Sequence, residues 1–277
     1  MLLQLTVFFR RYQVSRILRA ANAYKFRGVP VLSIFLLVFR MVFQQRSVYT
    51  QMHLQSAAII HATLVPLTQA DRINVLILDD SIYHRARSKK VELLARLYDH
   101  AKKEFSYGFR MLTLCWSDGN TLLPVSHTLL STENTKNRLR DASQKVNARS
   151  NGGKQRKVAQ QKATEVMLQL LQEAKAAAIP VRHVLFDTWF CSPASFLKIH
   201  GLGYEVVAMA KKTEKIHYLH QGCLQDVKAI YKQHRKRRGR SKYLLIVGAA
   251  VVKGEESLPV RLVFVRNRNN RKDWWYW

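Results

Sequence analysis

Acidic residues are scarce in this sequence, and they are unevenly distributed. The 277 residues include 46 Lys and Arg but only 18 Asp and Glu, which gives a formal net charge of +28. No Asp or Glu occurs before Asp71, whereas eight Lys and Arg lie in that first stretch. Such an excess of positive charge indicates a polyanionic partner, but charge alone does not decide between DNA, RNA and an anionic membrane.

Cysteine, glycine, proline and long hydrophobic runs are also limited. The three cysteines form no CxxC pair, which excludes a disulfide scaffold and a zinc ribbon and fits a reducing compartment such as the cytoplasm. With 48% apolar residues, the chain can bury a core and is not a disordered polyelectrolyte. The longest apolar run, residues 29–39, is shorter than the roughly 20 residues of a membrane-spanning helix and predicts a buried helix instead.

Two clusters of basic residues are candidate phosphate-binding surfaces. In the first, four arginines are interleaved with apolar residues, which predicts a helix with an apolar stripe and a basic face. These are Arg10, Arg11, Arg16 and Arg19, and we assign residues 1–70 to a small helical module. The second cluster, residues 232–242, includes Arg235, Lys236, Arg237, Arg238 and Arg240. The first cluster could be a solvated face, but the lack of compensating acids in residues 1–70 favours phosphate contact.

The rest of the chain alternates between strand and helix patterns, which is typical of an α/β fold. Continuous apolar runs that end in polar residues predict buried strands at 74–79 and 181–187. Between them, Asp118 is interpreted as the turn residue of a β-hairpin. The other predicted elements are a helix through Val91, Leu94, Leu97, Tyr98 and Ala101, a long helix at 158–178, a helix after Ser192, a strand at 205–209, and strands at 243–252 and 260–265.

The acids that end the two buried strands are the candidate catalytic residues. A helical crossover makes the strands a parallel pair, so Asp79 and Asp187 would lie at the same edge of the sheet. Carboxylate oxygens are the ligands that Mg²⁺ prefers, and two such ions can assist phosphodiester chemistry. The alternative is that Asp79, Asp80 and Asp187 only cap turns. We expect His217 and His220 to be a surface pair rather than a zinc site.

The motifs around these acids resemble a known family. The segment 76–118, with VLFDTWF around Asp187 and VAMAKKTEKIHY from Val207, resembles the DDE transposases of bacterial insertion sequences, in the branch with a Tyr-Arg-Glu-Lys signature helix. The resemblance implies an RNase H-like α/β fold, a mixed sheet flanked by helices, with a catalytic domain at 71–277 and a β-rich insertion at about 213–268. The implied reaction is metal-dependent nicking at the element's ends, followed by attack of the freed 3′-hydroxyl on target DNA.

The resemblance also assigns roles to individual residues. The family's first two acids fall on Asp79 and Asp187, which would hold Mg²⁺ or Mn²⁺ in a two-metal site, with Asp80 supporting them. The expected DNA-binding residues are those of the two basic clusters together with Lys89, Lys90, Lys211 and Lys212. The implied partner is double-stranded DNA, bound by a homodimer in a synaptic complex at the bacterial nucleoid, with no membrane association.

The family's third acid has no counterpart in this sequence. It should lie on a helix after the insertion, in the pattern Tyr, two residues, Arg, three residues, Glu, six residues, Lys, and no such spacing occurs here. Glu205, Glu214, Glu255 and Glu256 lie in the wrong elements. We therefore expect a C-terminally truncated transposase that binds DNA but cleaves it poorly.

Two other functions are open on the sequence alone. A non-enzymatic nucleic-acid-binding protein, such as a transposase remnant, would use the same basic clusters and would not need Asp79. A peripheral membrane protein would use the basic and apolar N-terminal region. That function would leave residues 74–210 without a role, so we rank it last.

Overall fold

A computed structural model of the protein describes residues 2–21, 35, 39, 48–100, 102–132, 134–237, 241–267 and 274–276. The chain divides into two compact units, residues 1–52 and 53–277. The helix predicted at 29–39 falls outside the described residues except at Phe35 and Phe39, which are both helical. The assignment of residues 1–70 as a separate domain stays a prediction.

Aromatic packing stabilises the first unit, which contains α1 (Leu2–Arg11) and α2 (Val14–Ala20). Phe9 is buried, and its ring centroid lies 5.8 Å from that of Phe35 and 5.4 Å from that of Phe39. The four arginines of the first basic cluster are exposed on these helices. The segment in which apolar and basic residues are interleaved therefore forms helices whose arginine side chains are exposed to solvent.

A third helix, α3 (Val48–Ile59), continues into a π-helical segment, Ile60–Leu64, and a last turn, Val65–Leu67. The side chain of Ile60 is completely buried in the core of the second unit. In the part of the chain that the structure describes, no helix combines the length and the apolar character needed to cross a membrane.

The centre of the second unit is a six-stranded mixed sheet. Its strands are β1 (Val75–His84), β2 (Ala95–Asp99), β3 (Glu104–Ser117), β4 (Leu122–Leu130), β5 (His183–Phe186) and β6 (Glu205–Ala208). Their order is β2–β3–β1–β5–β6, and β4 also pairs with β3. β1 is antiparallel to β3 and parallel to β5, which is in turn parallel to β6.

Three helices flank this sheet, namely α4 (Asn151–Val158), α5 (Ala163–Ala176) and α6 (Pro193–Gly201). The apolar face of α5 packs in the same core as the buried residues of β1, because its buried positions recur at helical spacing. These positions are Val166, Met167, Leu170, Leu171 and Ala174. The start of α6 is also as predicted, since the Ser192 hydroxyl accepts a hydrogen bond from the Ser195 amide and proline follows at the first helical position.

A second, five-stranded antiparallel sheet follows in the chain and shares the same core. It consists of β7 (His217–His220), β8 (Cys223–Asp226), β9 (Tyr243–Lys253), β10 (Glu256–Arg266) and β11 (Trp274–Tyr276), with α7 (Val227–Gln233) between β8 and β9. Val251 and Phe264 of this sheet are completely buried with Leu76 of the central sheet. The strands predicted at 243–252 and 260–265 are present as β9 and β10, and the assignment of this region as an insertion stays a prediction.

The mixed sheet flanked by helices confirms the predicted α/β fold class and is consistent with an RNase H-like core. The helix predicted through residues 91–101 is wrong, because this stretch contains the strand β2 instead. Leu93 has a positive φ of 58°, which no α-helix contains, and residues 95–99 pair with β3. Apolar residues over so short a segment fit both periodicities, and pairing with a long neighbouring strand decides between them.

Candidate active site

Two parallel strands carry the candidate acids to one edge of the central sheet. β1 and β5 pair in register up to Leu78 and Phe186, so the next residues, Asp79 and Asp187, follow at the same level of the sheet. Leu78 and Phe186, the last paired residues, are both buried. The predicted parallel pairing of these strands is therefore confirmed. β1 continues to His84, so Asp79 and Asp80 lie within the strand, and the prediction that this strand ends at residue 79 is wrong.

Asp79 and Asp80 point to opposite faces of β1, because successive side chains alternate along a strand. Asp79 is exposed, and its charge adds to the effect of burial in raising the pKa of Cys115 on β3. Asp80 is half-buried and lines an open cleft of about 620 Å³ together with Asp187. Burial raises the pKa of Asp80 despite the opposing effect of Arg110, and the charges of Asp187 and Asp79 add to the rise. The three carboxylates are thus close enough to influence one another.

The cation that partners Asp80 is Arg110 of β3. Arg110 lies opposite Ile82, two residues beyond Asp80, and its guanidinium donates to the Oδ2 atom of Asp80. The same guanidinium carbon lies 4.6 Å from the ring centroid of Trp189. The Oδ1 atom of Asp80 is buried without a hydrogen-bond partner. Arg110 therefore neutralises only one side of a carboxylate that has further capacity to bind a cation.

The residues present fit a hard divalent cation. Such ions prefer oxygen ligands, and Asp80 and Asp187 present carboxylates to one cleft, with one oxygen of Asp80 buried and unpartnered. Asp79 extends from the other face of β1 and does not line this cleft. Among the described residues, no three Asp, Glu, His or Cys side chains are already arranged as a complete ligand set. Because Asp80 is engaged by Arg110, a cation bound there would compete with the guanidinium.

Trp189 was not identified from the sequence as part of the site. Its amide donates to the Oδ1 atom of Asp187 over 2.9 Å, and its carbonyl accepts from the Nζ atom of Lys211 over 3.1 Å. These contacts connect the acid, the aromatic ring and a predicted DNA-binding lysine. The only signal in the sequence is the position of Trp189 two residues after Asp187, which gives no indication of its contacts with Lys211 and Arg110.

The structure places the predicted DNA-binding residues in several regions. Arg10, Arg11, Arg16 and Arg19 belong to the first unit, and Lys89 and Lys90 are exposed in the loop after β1. Lys211 lies beside Trp189 as described, and the Nζ atom of Lys212 lies 4.9 Å from the ring centroid of Trp274. Of the second basic cluster, Arg235 and Arg237 are exposed and Lys236 lies over the Tyr231 ring, whereas Arg238 and Arg240 are outside the described residues. Of the predicted DNA-binding residues that the structure describes, Lys211 is the one shown in contact with a side chain that lines the cleft.

Two other predictions made from single residues can be compared with the structure. Asp118 is a turn residue, as predicted, because its Oδ1 atom accepts hydrogen bonds from the amides of Asn120 and Thr121. The surface pair predicted for His217 and His220 is wrong in its second member. His220 is buried, and its Nε2 atom lies 2.8 Å from the Nε2 atom of His234. His234 follows α7, fourteen residues after His220, so the local sequence around His220 gives no indication of this contact.

Comparison with known protein families gives a match. The family described as DDE superfamily endonuclease matches residues 43–255, a range that includes β1, β5 and all three candidate acids. No curated protein matches the chain.

Proposed function

The chain belongs to the DDE superfamily of endonucleases, and from this premise we propose that it is a transposase of the bacterial insertion-sequence type, which nicks DNA and transfers the freed strand to a target. The observation that carries the proposal is the pairing of β1 with β5, which brings Asp79 and Asp187 to one sheet edge beside Asp80. The exposed arginines of the first unit and the net charge of +28 support a DNA partner.

In this proposal Asp79 and Asp187 hold the divalent cations, Mg²⁺ or Mn²⁺, and Asp80 supports them. When bound, the cations polarise the phosphodiester and stabilise the oxygen that leaves it. Lys211 contacts Trp189, which in turn lies beside the acids, and it supplies positive charge for the neighbouring phosphates. Arg110 neutralises Asp80 and so limits the repulsion among the three carboxylates.

We propose that strand cleavage by this chain is weak. The family's third acid is a glutamate, and none of the glutamates in the described residues lines the cleft that contains Asp80 and Asp187. With only aspartates at the site, a second cation would have fewer ligands than two-metal chemistry requires. Binding of double-stranded DNA, as a homodimer at the nucleoid, does not depend on that acid and is expected to persist.

A non-enzymatic DNA-binding function is the second candidate. It is favoured by the exposed basic residues and by the absence of a complete ligand set among the described residues. Under this alternative the acids at the sheet edge would have no effect on what the protein does to DNA.

Nicking of supercoiled plasmid and binding of a short duplex test both candidates. For the transposase we expect slow nicking with Mg²⁺ or Mn²⁺ that disappears in Asp187→Asn, and duplex binding that weakens steeply with salt. Rapid nicking would contradict the proposed weakness. Nicking that Asp187→Asn leaves unchanged would contradict the site, and binding without any nicking would favour the non-enzymatic alternative.

A further inference from the structure

A pair of imidazole rings in the region of the second sheet has no part in the proposed reaction. His220 ends β7 and is only 6% exposed, and His234 follows α7. The Nε2 atoms of the two rings lie 2.8 Å apart, and the ring centroids lie 5.0 Å apart. Neither β7 nor α7 contains a residue that lines the cleft of Asp80 and Asp187. The histidine pair is therefore a cluster of nitrogen ligands separate from the acids.

The backbone beside His220 determines which of its nitrogens faces His234. The Nδ1 atom lies 2.8 Å from the carbonyl oxygen of Gly248 on β9, and a carbonyl oxygen can only accept a hydrogen bond. Nδ1 therefore carries the proton, and in the neutral ring Nε2 presents a lone pair to His234. A carbonyl that accepts from the far nitrogen is also what typically holds a metal-binding histidine in one tautomer and one orientation.

A hydrogen bond between the two rings depends on a single proton. Because the Nε2 atom of His220 presents a lone pair, the Nε2 atom of His234 has to donate. A divalent transition-metal ion can replace that proton, since it accepts lone pairs from both neutral rings, and imidazole is a ligand that suits such ions. Convergent imidazole nitrogens with one ring fixed by a backbone carbonyl thus form the core of a metal site.

The hairpin that follows β7 provides a third ligand of matching chemistry. Cys223 pairs directly with His220 across the β7–β8 hairpin, so the two side chains leave the same face of the sheet. The Cys223 thiol is exposed and is not part of a disulfide. Its thiolate would also offset the charge of a cation that binds beside the basic residues after His234. Zn²⁺ is commonly bound by three such protein ligands and a water molecule.

We propose that His220, His234 and Cys223 bind one divalent transition-metal ion of the Zn²⁺ type. Among the described residues these three side chains are not already drawn together as a closed set, so binding turns the exposed thiol towards the two rings. The site uses nitrogen and sulfur ligands, whereas the acids of the central sheet offer oxygen ligands to Mg²⁺. It goes beyond the proposed function, because it forms whether or not the chain cleaves DNA.

The expected effect of the metal is to fix the connection between α7 and β9. His234 immediately precedes Arg235, Lys236 and Arg237, which begin the exposed part of the second basic cluster. A metal ion shared with His220 would tie this point of the chain to β7. Binding to ligands that are brought together only in the folded state also stabilises the fold.

Equilibrium dialysis of the full chain against Zn²⁺ tests the proposal, with excess Mg²⁺ present to occupy the carboxylates. His234→Gln should weaken Zn²⁺ binding by at least about tenfold, since even the loss of a group that only supports a metal ligand costs this much. His217→Gln is the matched control and should bind Zn²⁺ as the wild type does, because His217 is an exposed histidine on the other face of the same strand. Equal Zn²⁺ affinities in the wild type and His234→Gln would overturn the proposal and leave the rings as a hydrogen-bonded pair.

Co²⁺ in place of Zn²⁺ tests the third ligand without changing a buried residue. A bond between Co²⁺ and a thiolate gives a charge-transfer absorption in the near ultraviolet, which we expect in the wild type and not in Cys223→Ser. Because Cys223 is exposed, this variant should fold even where His234→Gln does not. A wild type without the absorption, or a Cys223→Ser variant that keeps it, would overturn the proposed ligand set. Plasmid nicking, which tests the transposase function, should be unchanged in Cys223→Ser.

Discussion

The β1–β3 ladder has one aspartate just beyond its end and another within it, and the fold treats them differently. At one end, Asp118 follows Ser117, which pairs with Val75. Its Oδ1 atom accepts two backbone amides, at 3.0 Å and 2.7 Å, and these bonds hold the pKa of Asp118 below its ordinary value. Within the ladder, where Asp80 pairs with Leu112, the Oδ1 atom of Asp80 is buried without a partner, and burial raises the pKa of Asp80.

The difference separates an acid that closes a turn from acids that remain available to a ligand. The Oδ1 atom of Asp118 accepts from amides of its own turn, and its Oδ2 atom accepts from Thr68 and Arg72, so its charge is already compensated. Asp80 has one cation, Arg110, and two further carboxylates nearby that repel it. An acid cluster that the fold leaves incompletely compensated is a candidate functional site, since it is stabilised once a cation binds.

The largest expected effect follows from removing one negative charge at the candidate cation site. Asp79→Asn and Asp187→Asn should each reduce metal-dependent nicking by at least about a hundredfold, because each removes a cation ligand without changing side-chain size. Asp80→Asn should have a smaller effect, and Asp118→Asn should have none. Plasmid nicking under identical conditions measures all four. A loss in Asp118→Asn equal to that in Asp187→Asn would show that the comparison is false.

A medium effect is expected when the competing cation is removed. Arg110→Gln should tighten Mn²⁺ binding in the absence of DNA by roughly fivefold, since about 1 kcal/mol of ion-pair energy no longer opposes the metal. Arg96→Gln is the matched control, because Arg96 lines the same cleft but stacks on Phe105 rather than pairing with Asp80. Calorimetric titration of both variants with Mn²⁺ measures the two affinities. Equal Mn²⁺ affinities in the two variants would contradict a specific role for Arg110.

The smallest expected effect concerns the contribution of Asp118 to the stability of the fold. The folded state lowers the pKa of Asp118 below the ordinary value of 3.8, so the ionised form stabilises the fold above that pH. This contribution is lost as the pH falls through the folded pKa. Asp118→Asn should therefore melt a few degrees below the wild type at neutral pH, and the gap should close in acid. Thermal melts of both proteins from neutral to acidic pH measure this difference in melting temperature. A difference that does not change with pH would refute the role assigned to Asp118.

Local patterns in the sequence predicted the ladder better than they predicted the site. The Asp118–Gly119 turn and the two buried strands were predicted correctly because each depends on residues that are adjacent in the chain. The relation between Asp80 and Arg110 could not be predicted, because it depends on a cross-strand register that places Ile82 opposite Arg110. The cleft beside the acids was missed for a related reason. One side of the cleft is formed by β2, whose apolar residues the sequence pattern assigned to a helix.

The central claim is that the acids at residues 79–80 of β1 and at residue 187 after β5 form one divalent-cation site. Iron-mediated hydroxyl-radical cleavage of the polypeptide tests it directly, since Fe²⁺ in the place of Mg²⁺ cuts the backbone nearest to it. The account predicts cuts beside residues 79–80 and beside residue 187, suppressed by excess Mg²⁺ and absent from Asp187→Asn. Cuts confined to other regions, such as the neighbourhood of His220 and His234, would contradict it.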